Sequence, residues 1–198
     1  MRFSIFTAAT ALVSSVYAAD HLVVVGNGSL TFEPNNVKAV VGDTVTFKFW
    51  PKNHSVAQAA FAKPCEPLAN GFWSGFIPST QKAAATTFTY EVKNASAPIW
   101  FYCTQGSHCQ GGMVGAINAP TSGNTVEKFI EASKNASDNV SPTSTAGSGG
   151  SLASNGSAAG GGASGNGTGP AENTNGAATL QYSSAFAGAM GMFAYLLI

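Results

Sequence analysis

Alternating apolar and polar positions predict short strands across residues 19–120. In residues 44–50, Val45, Phe47 and Phe49 fall on one face of a strand and polar residues on the other. Further strands are predicted from alternation or short apolar runs at residues 21–25, 87–92, 99–103 and 113–118. Several short strands separated by turns, without a long helix, are typical of an antiparallel or mixed β-sandwich. The fold class expected for residues 19–120 is therefore an all-β sandwich.

One short helix is predicted after these strands. Val126, Phe129 and Ile130 recur at helical spacing within residues 125–134, which places them on one face of a helix. We assign residues 121–140 to this amphipathic helix and its linker, and we infer no function for it.

Both ends of the chain have the pattern of processing signals. Arg2 precedes an apolar stretch too short to span a bilayer, and residues 1–18 are predicted as a secretory signal peptide cleaved after Ala18. Residues 178–198 end in an uncharged apolar run preceded by small residues, which is typical of a glycolipid (GPI) attachment signal with its anchor near Asn175. The alternatives are a buried N-terminal helix, and a membrane tail or an unstructured end at the C-terminus.

The segment before this tail differs in composition from the rest of the chain. Residues 141–177 contain eleven Gly and seven Ser, and Glu172 is their one charged residue. Such a segment has too few apolar side chains to offset the entropy lost on ordering. We therefore predict a flexible stalk between the domain and the anchor.

Sites for N-linked glycans are frequent, as expected for an exported protein. Asn53 is expected to be unmodified because it adjoins His54, and Asn139 is a poor site because Pro142 follows its Ser141. The predicted sites are Asn27, Asn94, Asn135, Asn155 and Asn166.

Charge excludes some functions. The 198 residues include 9 basic and 9 acidic side chains, so the formal net charge is zero. Binding to nucleic acid or to an anionic membrane surface would need a basic patch. The charged fraction of 9% is well below the roughly 25% usual in soluble domains. Glycans would supply the missing solubility.

The residues with metal-binding chemistry are concentrated in one run. Cys103, His108 and Met113 lie within eleven positions, and His54 follows a predicted strand farther upstream. Two imidazoles and a thiolate with a weak axial thioether form the donor set of a blue-copper electron-transfer site. Three of these residues belong to one loop, and the fold has to bring His54 to them.

The number of cysteines agrees with this hypothesis. Three cysteines in an exported protein leave one unpaired. If Cys103 binds copper, Cys65 and Cys109 are free to pair. That bridge would close a loop of 44 residues beside His108. A pair that included Cys103 would remove the metal site.

Taken together, the ligand run, the upstream histidine and the two other cysteines resemble the cupredoxin superfamily. The cysteine beside the second histidine is most similar to the phytocyanin branch. The two processed ends resemble the serine-rich, GPI-anchored cupredoxin-like proteins of fungi. Over roughly residues 20–120 the resemblance implies an eight-stranded Greek-key β-sandwich with copper near one end. It implies copper ligands at His54, Cys103, His108 and Met113, and a structural disulfide between Cys65 and Cys109.

One departure from the family pattern concerns the residues around the first histidine. Many cupredoxins have an asparagine directly after it, which ties the ligand loops together. Here Ser55 follows His54 and Asn53 precedes it. The hydrogen bonding around the metal, and with it the redox potential, is therefore not predicted.

Three functions agree with these observations, and all of them place the protein at the cell surface, on the plasma membrane or cell wall; the first two use one bound copper ion. The first is one-electron transfer, the second is copper capture or buffering, and the third is a non-catalytic wall or adhesion glycoprotein using the fold as a scaffold. Expected partners are a redox partner or copper donor or acceptor, the plasma membrane through the lipid, and wall polysaccharide. No enzyme activity is expected. Three histidines are too few for a multicopper oxidase, and a copper monooxygenase with an N-terminal His21 would need cleavage after Asp20, which signal peptidase disfavours.

Overall fold

Eleven strands and one helix lie in residues 17–154, which are the residues that the computed structural model describes. The strands are β1 (Asp20–Val25), β2 (Phe32–Glu33), β3 (Asn36–Val37), β4 (Thr44–Phe49), β5 (Lys52–His54), β6 (Ala57–Ala59), β7 (Ile77–Ser79), β8 (Thr86–Glu91), β9 (Ile99–Tyr102), β10 (Val114–Ile117) and β11 (Ser151–Ser154), and the helix is α1 (Val126–Lys134). Outside the described residues lie most of the predicted signal peptide, the predicted C-terminal signal and the predicted modification sites Asn155, Asn166 and Asn175.

The strands form two main sheets and a small third one. The first sheet has the order β11-β8-β4-β1-β2, the second β3-β10-β9-β6, and β5 pairs with β7 in the third. The pairs β1–β4 and β3–β10 are parallel, and the other pairs are antiparallel. The predicted all-β Greek-key sandwich is confirmed. Residues 17–154 contain eleven strands, which is more than the expected eight, because several of them are short strands of only two or three residues.

The alternation of β4 explains how the first sheet faces the second. Val45, Phe47 and Phe49 are fully buried, whereas the residues between them are half-buried. The Phe47 ring meets Phe101 of β9 at 5.2 Å between centroids and 82° between planes, and Phe32 meets the same ring at 5.0 Å. Each fully buried phenylalanine contributes roughly 1.5–3 kcal/mol. These aromatic contacts hold the two sheets together.

Helix α1 covers the outer face of the second sheet. It begins after the N-cap residue Thr125, whose hydroxyl accepts a hydrogen bond from the Lys128 N–H at 3.4 Å. Its buried Phe129 packs on Trp100 of β9, with ring centroids 4.8 Å apart. The predicted helix over residues 125–134 is therefore confirmed, and it is part of the domain.

None of the helical structure in residues 17–154 is long and apolar enough to cross a membrane.

The first part of the predicted stalk is ordered, so its predicted start at residue 141 is wrong. Strand β11 pairs antiparallel with β8 and forms the edge of the first sheet. Before it, the Gly147 N–H donates to the Trp73 carbonyl and the Trp73 N–H to the Ser148 carbonyl, each at 2.8 Å. Composition predicted disorder because these residues have few apolar side chains to bury. Backbone hydrogen bonds to a free sheet edge do not depend on those side chains.

Candidate metal centre

Cys103 lies directly after β9, where the chain leaves the second sheet. Its side chain is fully buried, and it is the one cysteine outside the disulfide. Its N–H donates to the Met113 carbonyl at 3.0 Å, which extends the β9–β10 ladder by one residue pair. The pairing of these two strands brings Cys103 beside Met113.

The loop after Cys103 folds back so that His108 faces the thiol. The His108 N–H donates to the Gln105 carbonyl at 2.9 Å, and the Met113 N–H donates to the His108 carbonyl at 3.0 Å. As a result, His108 Nδ1 lies 3.5 Å from Cys103 Sγ. The imidazole of His108 is half-buried.

His54 reaches the same point from the third sheet, at the end of β5. It is only 2% exposed, and its Nδ1 lies 3.9 Å from Cys103 Sγ. The two imidazole rings are 5.0 Å apart between centroids. One donor atom each from His54, Cys103 and His108 lie within 4.8 Å of one another. The fold therefore brings together three of the four predicted ligands at one point.

Met113 is the fourth predicted ligand. It is fully buried and packs in the same hydrophobic cluster as Cys103. Its backbone carbonyl accepts a hydrogen bond from the Cys103 N–H, and its backbone N–H donates one to the His108 carbonyl. Its role as an axial ligand stays a prediction.

Burial shifts the pKa of all three converging side chains. It raises the pKa of the Cys103 thiol, and it lowers the pKa of His54 and of His108. The neighbouring His108 lowers the pKa of His54 further, and Lys52 acts in the same direction on His108. Neutral imidazole is the form that binds metals, and a thiol binds as the thiolate after it has released its proton to solvent. Two imidazoles beside a buried thiol fit copper in both common oxidation states.

Ser55 links the segments that carry His54 and Cys103. The Thr104 N–H donates to Ser55 Oγ at 2.9 Å, and the two hydroxyl oxygens are 3.0 Å apart. Ser55 Oγ also lies 3.8 Å from Cys103 Sγ. The serine found where the family pattern has asparagine therefore still ties the two ligand segments together.

Asn53 provides a second link from the other side of His54. Its Nδ2 donates to the Gln105 side-chain oxygen at 2.7 Å. The same nitrogen would carry an N-linked glycan, so the contact supports the expectation that Asn53 is unmodified. The predicted glycan acceptors in the described residues are exposed, namely Asn27, Asn94 and Asn135.

Gly26 packs against the face of His54. A Cβ atom at residue 26 would lie only 2.2 Å from His54 Nε2, and the φ angle of +73° also favours glycine. The turn after β1 therefore helps to hold the His54 ring in place. The sequence analysis missed this contact, because a single glycine carries no signal of what it packs against.

The disulfide between Cys65 and Cys109 is confirmed. It joins the segment after β6 to the residue directly after His108, across a sequence separation of 44. Both cysteines are fully buried beneath α1 in the second hydrophobic cluster. The disulfide therefore anchors the ligand loop to the face of the sheet that α1 covers.

His21 does not belong to the metal cluster. Its Nε2 lies 2.9 Å from Asp43 Oδ2. This position agrees with its exclusion from the predicted ligands.

A β-sandwich that brings one buried cysteine and two histidines together from separate segments defines a cupredoxin. The comparison with known proteins agrees. The chain is 36% identical over 166 residues to a protein named "Probable GPI-anchored cupredoxin-1" from Arthroderma benhamiae, covering 84% of this chain and 82% of that protein. At this identity and coverage, the chain belongs to the cupredoxin family.

Further comparisons gave more distant similarities. An "Extracellular serine-rich protein" from the same fungus is 35% identical over 137 residues, covering 68% of this chain and 53% of that protein. A purple cupredoxin from Nitrosopumilus maritimus matches at 18% identity and a TM-score of 0.38, over 49% of this chain and 96% of that one. A pseudoazurin from Sinorhizobium matches at 24% identity and a TM-score of 0.33, over 50% of this chain and 72% of that one. No family model matches the chain.

Proposed function

We propose that this protein is a cell-surface electron carrier, not an enzyme, with one type 1 copper ion. Its ligands would be His54, Cys103 and His108, with Met113 as a weak axial ligand. The observation that carries the proposal is the convergence of a buried thiol and two imidazole nitrogens within 4.8 Å. Copper bound there supplies reversible one-electron chemistry by changing between Cu(II) and Cu(I).

The surroundings of these side chains suit electron transfer because they restrict movement. Cys103 is held by the ladder to Met113 and by the Ser55 link, and the disulfide to Cys65 anchors Cys109, the residue after His108. Ligands that are locked by packing and hydrogen bonds keep one geometry in both oxidation states. Little rearrangement would then oppose the gain or loss of an electron.

The exposure of the ligands suggests where electrons enter and leave. Cys103 and His54 are buried at 0% and 2% exposure, whereas His108 is half-buried. A cleft of about 500 Å³ lies beside both histidines and includes Leu30 and Lys52 in its lining. We propose that a redox partner exchanges electrons through the His108 edge.

The proposed location is the outer cell surface. One relative is named as GPI-anchored and another as extracellular. The predicted signals at residues 1–18 and 178–198 agree with export and with lipid attachment to the plasma membrane. Cell-wall polysaccharide is a further proposed partner of the protein at this surface.

Spectroscopy of the copper-loaded secreted protein tests the site. We expect an intense visible absorption from thiolate-to-copper charge transfer and narrow copper hyperfine splitting in the EPR spectrum. Cys103→Ser should fold and lack both features. A folded wild-type protein that binds Cu(II) without this absorption would contradict the type 1 assignment.

Voltammetry then separates a carrier from a copper store. A carrier shows a reversible midpoint potential and fast electron exchange. Very tight Cu(I) binding with slow exchange would instead indicate capture or buffering. A folded protein that binds no copper would indicate a scaffold.

A further inference from the structure

We propose that Asn139 is a positioning residue for the ligand loop, supplied by the segment that follows helix α1. Its side-chain Nδ2 donates one hydrogen bond to the Cys103 carbonyl at 3.1 Å and another to the Gly106 carbonyl at 2.8 Å. This inference rests on the proposed copper function, because Cys103 is the proposed thiolate ligand. Asn139 lies after residues 20–120, the region in which the copper-ligand motif resembles the cupredoxin superfamily.

The two contacts span the part of the loop that has the least packing. Gly106 and Ser107 are exposed, and Gly106 has a φ angle of +48°. Such a segment is held by hydrogen bonds more than by buried side chains. The Asn139 amide has two N–H groups, and both are used on carbonyls that bracket residues 104 and 105. It therefore fixes the backbone between Cys103 and the approach to His108.

Asn139 is itself held in place by its neighbour. The Val140 N–H donates to the Cys65 carbonyl at 2.9 Å, and the Tyr102 hydroxyl donates to the Val140 carbonyl at 2.6 Å. Cys65 is bonded to Cys109, next to His108. The segment thus connects strand β9, the disulfide and the ligand loop.

The chemistry of the contact requires an amide at residue 139. Both partners are carbonyl oxygens, which only accept hydrogen bonds, so the nitrogen has to face them. An aspartate has the same shape but would place carboxylate oxygens against the two carbonyls. The same nitrogen is the acceptor of the glycosylation motif Asn139-Val140-Ser141. A glycan there would replace an N–H that holds the loop, so we infer that Asn139 is unmodified.

The main test compares Asn139→Asp with Asn135→Asp in the full-length protein from a host that does not add N-glycans. Asn135 lies on the same segment, and its Nδ2 donates only to the Glu131 carbonyl, at the end of the helix. The readout is the labelling rate of the Cys103 thiol by a thiol reagent in copper-free protein. Loss of two hydrogen bonds predicts about tenfold faster labelling for Asn139→Asp, or about 1.4 kcal/mol. Asn135→Asp should label within about twofold of wild type, in line with an exposed change.

Copper-loaded protein gives a second readout. Asn139→Asp should widen the EPR hyperfine splitting and shift the midpoint potential, whereas Asn135→Asp should change neither. Asn139→Ala removes both donors without adding charge, so it repeats the test if the aspartate variant does not fold. Thiol labelling of Asn139→Asp and Asn139→Ala at the wild-type rate would overturn the inference. So would a glycan at Asn139, found by mass spectrometry of the protein secreted from a fungal host.

The two proposals fail separately. Labelling of copper-free protein reports on the loop whether or not copper binds. A wild-type protein without the charge-transfer band, together with fast labelling of Asn139→Asp, would overturn the copper function and leave the positioning role.

We also infer that cleavage after Ala18 creates an ion pair between the new α-ammonium group of Ala19 and Asp43. The Ala19 nitrogen lies 2.9 Å from Asp43 Oδ1, and the Ala19 carbonyl accepts from the Thr44 N–H at 2.8 Å. Tyr17, two residues earlier, is 86% exposed. Residue 19 is thus held where its amino group would meet the carboxylate.

Asp43 is suited to bind a terminal ammonium group. It is 5% exposed, and its Oδ2 accepts from the Val40 N–H at 3.0 Å and lies 2.9 Å from His21 Nε2. Cleavage would exchange one neutral N–H donor for a charged one, and charge-assisted hydrogen bonds are stronger than neutral ones.

A double-mutant cycle tests this ion pair. The secreted protein that begins at Ala19 is compared with one that carries one additional glycine before Ala19, each with Asp43 and with Asp43→Asn. The added glycine should lower the Tm by about 3 °C with Asp43. It should leave the Tm of the Asp43→Asn variant unchanged, because that variant has no carboxylate to pair with the ammonium group. An equal effect in both backgrounds would contradict the ion pair. N-terminal sequencing that shows another start would do the same.

Discussion

The two main sheets differ in how their outer faces meet solvent. In β4 of the first sheet, buried residues alternate with half-buried ones such as Thr46 and Lys48. In β9 and β10 of the second sheet, every residue is buried. The reason is that α1 and its neighbours cover the second sheet, with Phe129 packed on Trp100. One sheet therefore has one packed face, and the other has two.

This difference places the candidate metal centre on the more restrained sheet. Cys103 continues β9, and the disulfide lies in the cluster beneath α1. A strand that is packed on both faces has little freedom to shift. The first sheet contributes from the end of β1, through the turn that places Gly26 on His54.

The largest expected effect follows removal of the disulfide from the covered face. Replacing Cys65 and Cys109 together by alanine should lower the free energy of unfolding by about 4 kcal/mol, because the 44-residue loop is no longer closed in the unfolded chain. Urea unfolding in the absence of reductant measures this change. A double variant within about 1 kcal/mol of wild type would show that α1 packing alone holds the covered face.

The contrast between the two outer faces is tested by a matched pair of alanine variants. Phe129→Ala removes a ring that covers Trp100 and should cost about 3 kcal/mol. Lys48→Ala, on the open face of β4, should change stability by less than about 0.5 kcal/mol. Equal costs in urea unfolding would remove the distinction between the sheets.

The contribution of the first sheet to the site is tested at two glycines. Gly26→Ala and Gly28→Ala introduce similar backbone strain, since the φ angles are +73° and +76°; this strain should cost about 1 kcal/mol in each variant, and Gly26→Ala should lose more stability because its Cβ also meets a side chain. Only Gly26→Ala would push its Cβ onto the His54 ring, because nothing lies within 4 Å of a Cβ at Gly28. Copper titration should therefore show at least about tenfold weaker binding, or about 1.4 kcal/mol, for Gly26→Ala alone. Similar affinities for the two variants would show that the His54 ring does not depend on this turn.

The smallest expected effect is a pH dependence at the other end of β4, where Asp43 precedes the strand. Hydrogen bonds from His21 and from the Ala19 and Val40 N–H groups lower the pKa of Asp43 to about 2. The unfolded chain takes up the proton first, at a pH of about 4. This stabilisation is therefore complete above pH 4 and is lost as the pH falls towards 2. Thermal unfolding should show a shallower acid dependence for Asp43→Asn than for the exposed Asp138→Asn, and parallel curves would contradict the assignment.

Much of the fold could be predicted because its signals are local. The alternation in residues 44–50 appears as β4, and the spacing of Val126 and Phe129 appears as α1. The order in residues 141–154, the first part of the predicted stalk, could not be predicted. The pairing of β11 with β8 uses backbone groups that any residue has. The same limit applies to Asn139, whose motif signals only a glycan.

The residue types of the chain predicted the donor atoms of the candidate metal centre. The sequence supplied one odd cysteine, two histidines and a methionine at spacings that favour a copper loop, and patterns that favour a sandwich. Which of these atoms meet became clear from the three-dimensional fold. Ser55 reaches Thr104 across 49 residues, and Asn139 reaches Cys103 across 36. Residue types and local periodicity determine elements and donor atoms, whereas contacts between distant segments depend on how the whole domain packs.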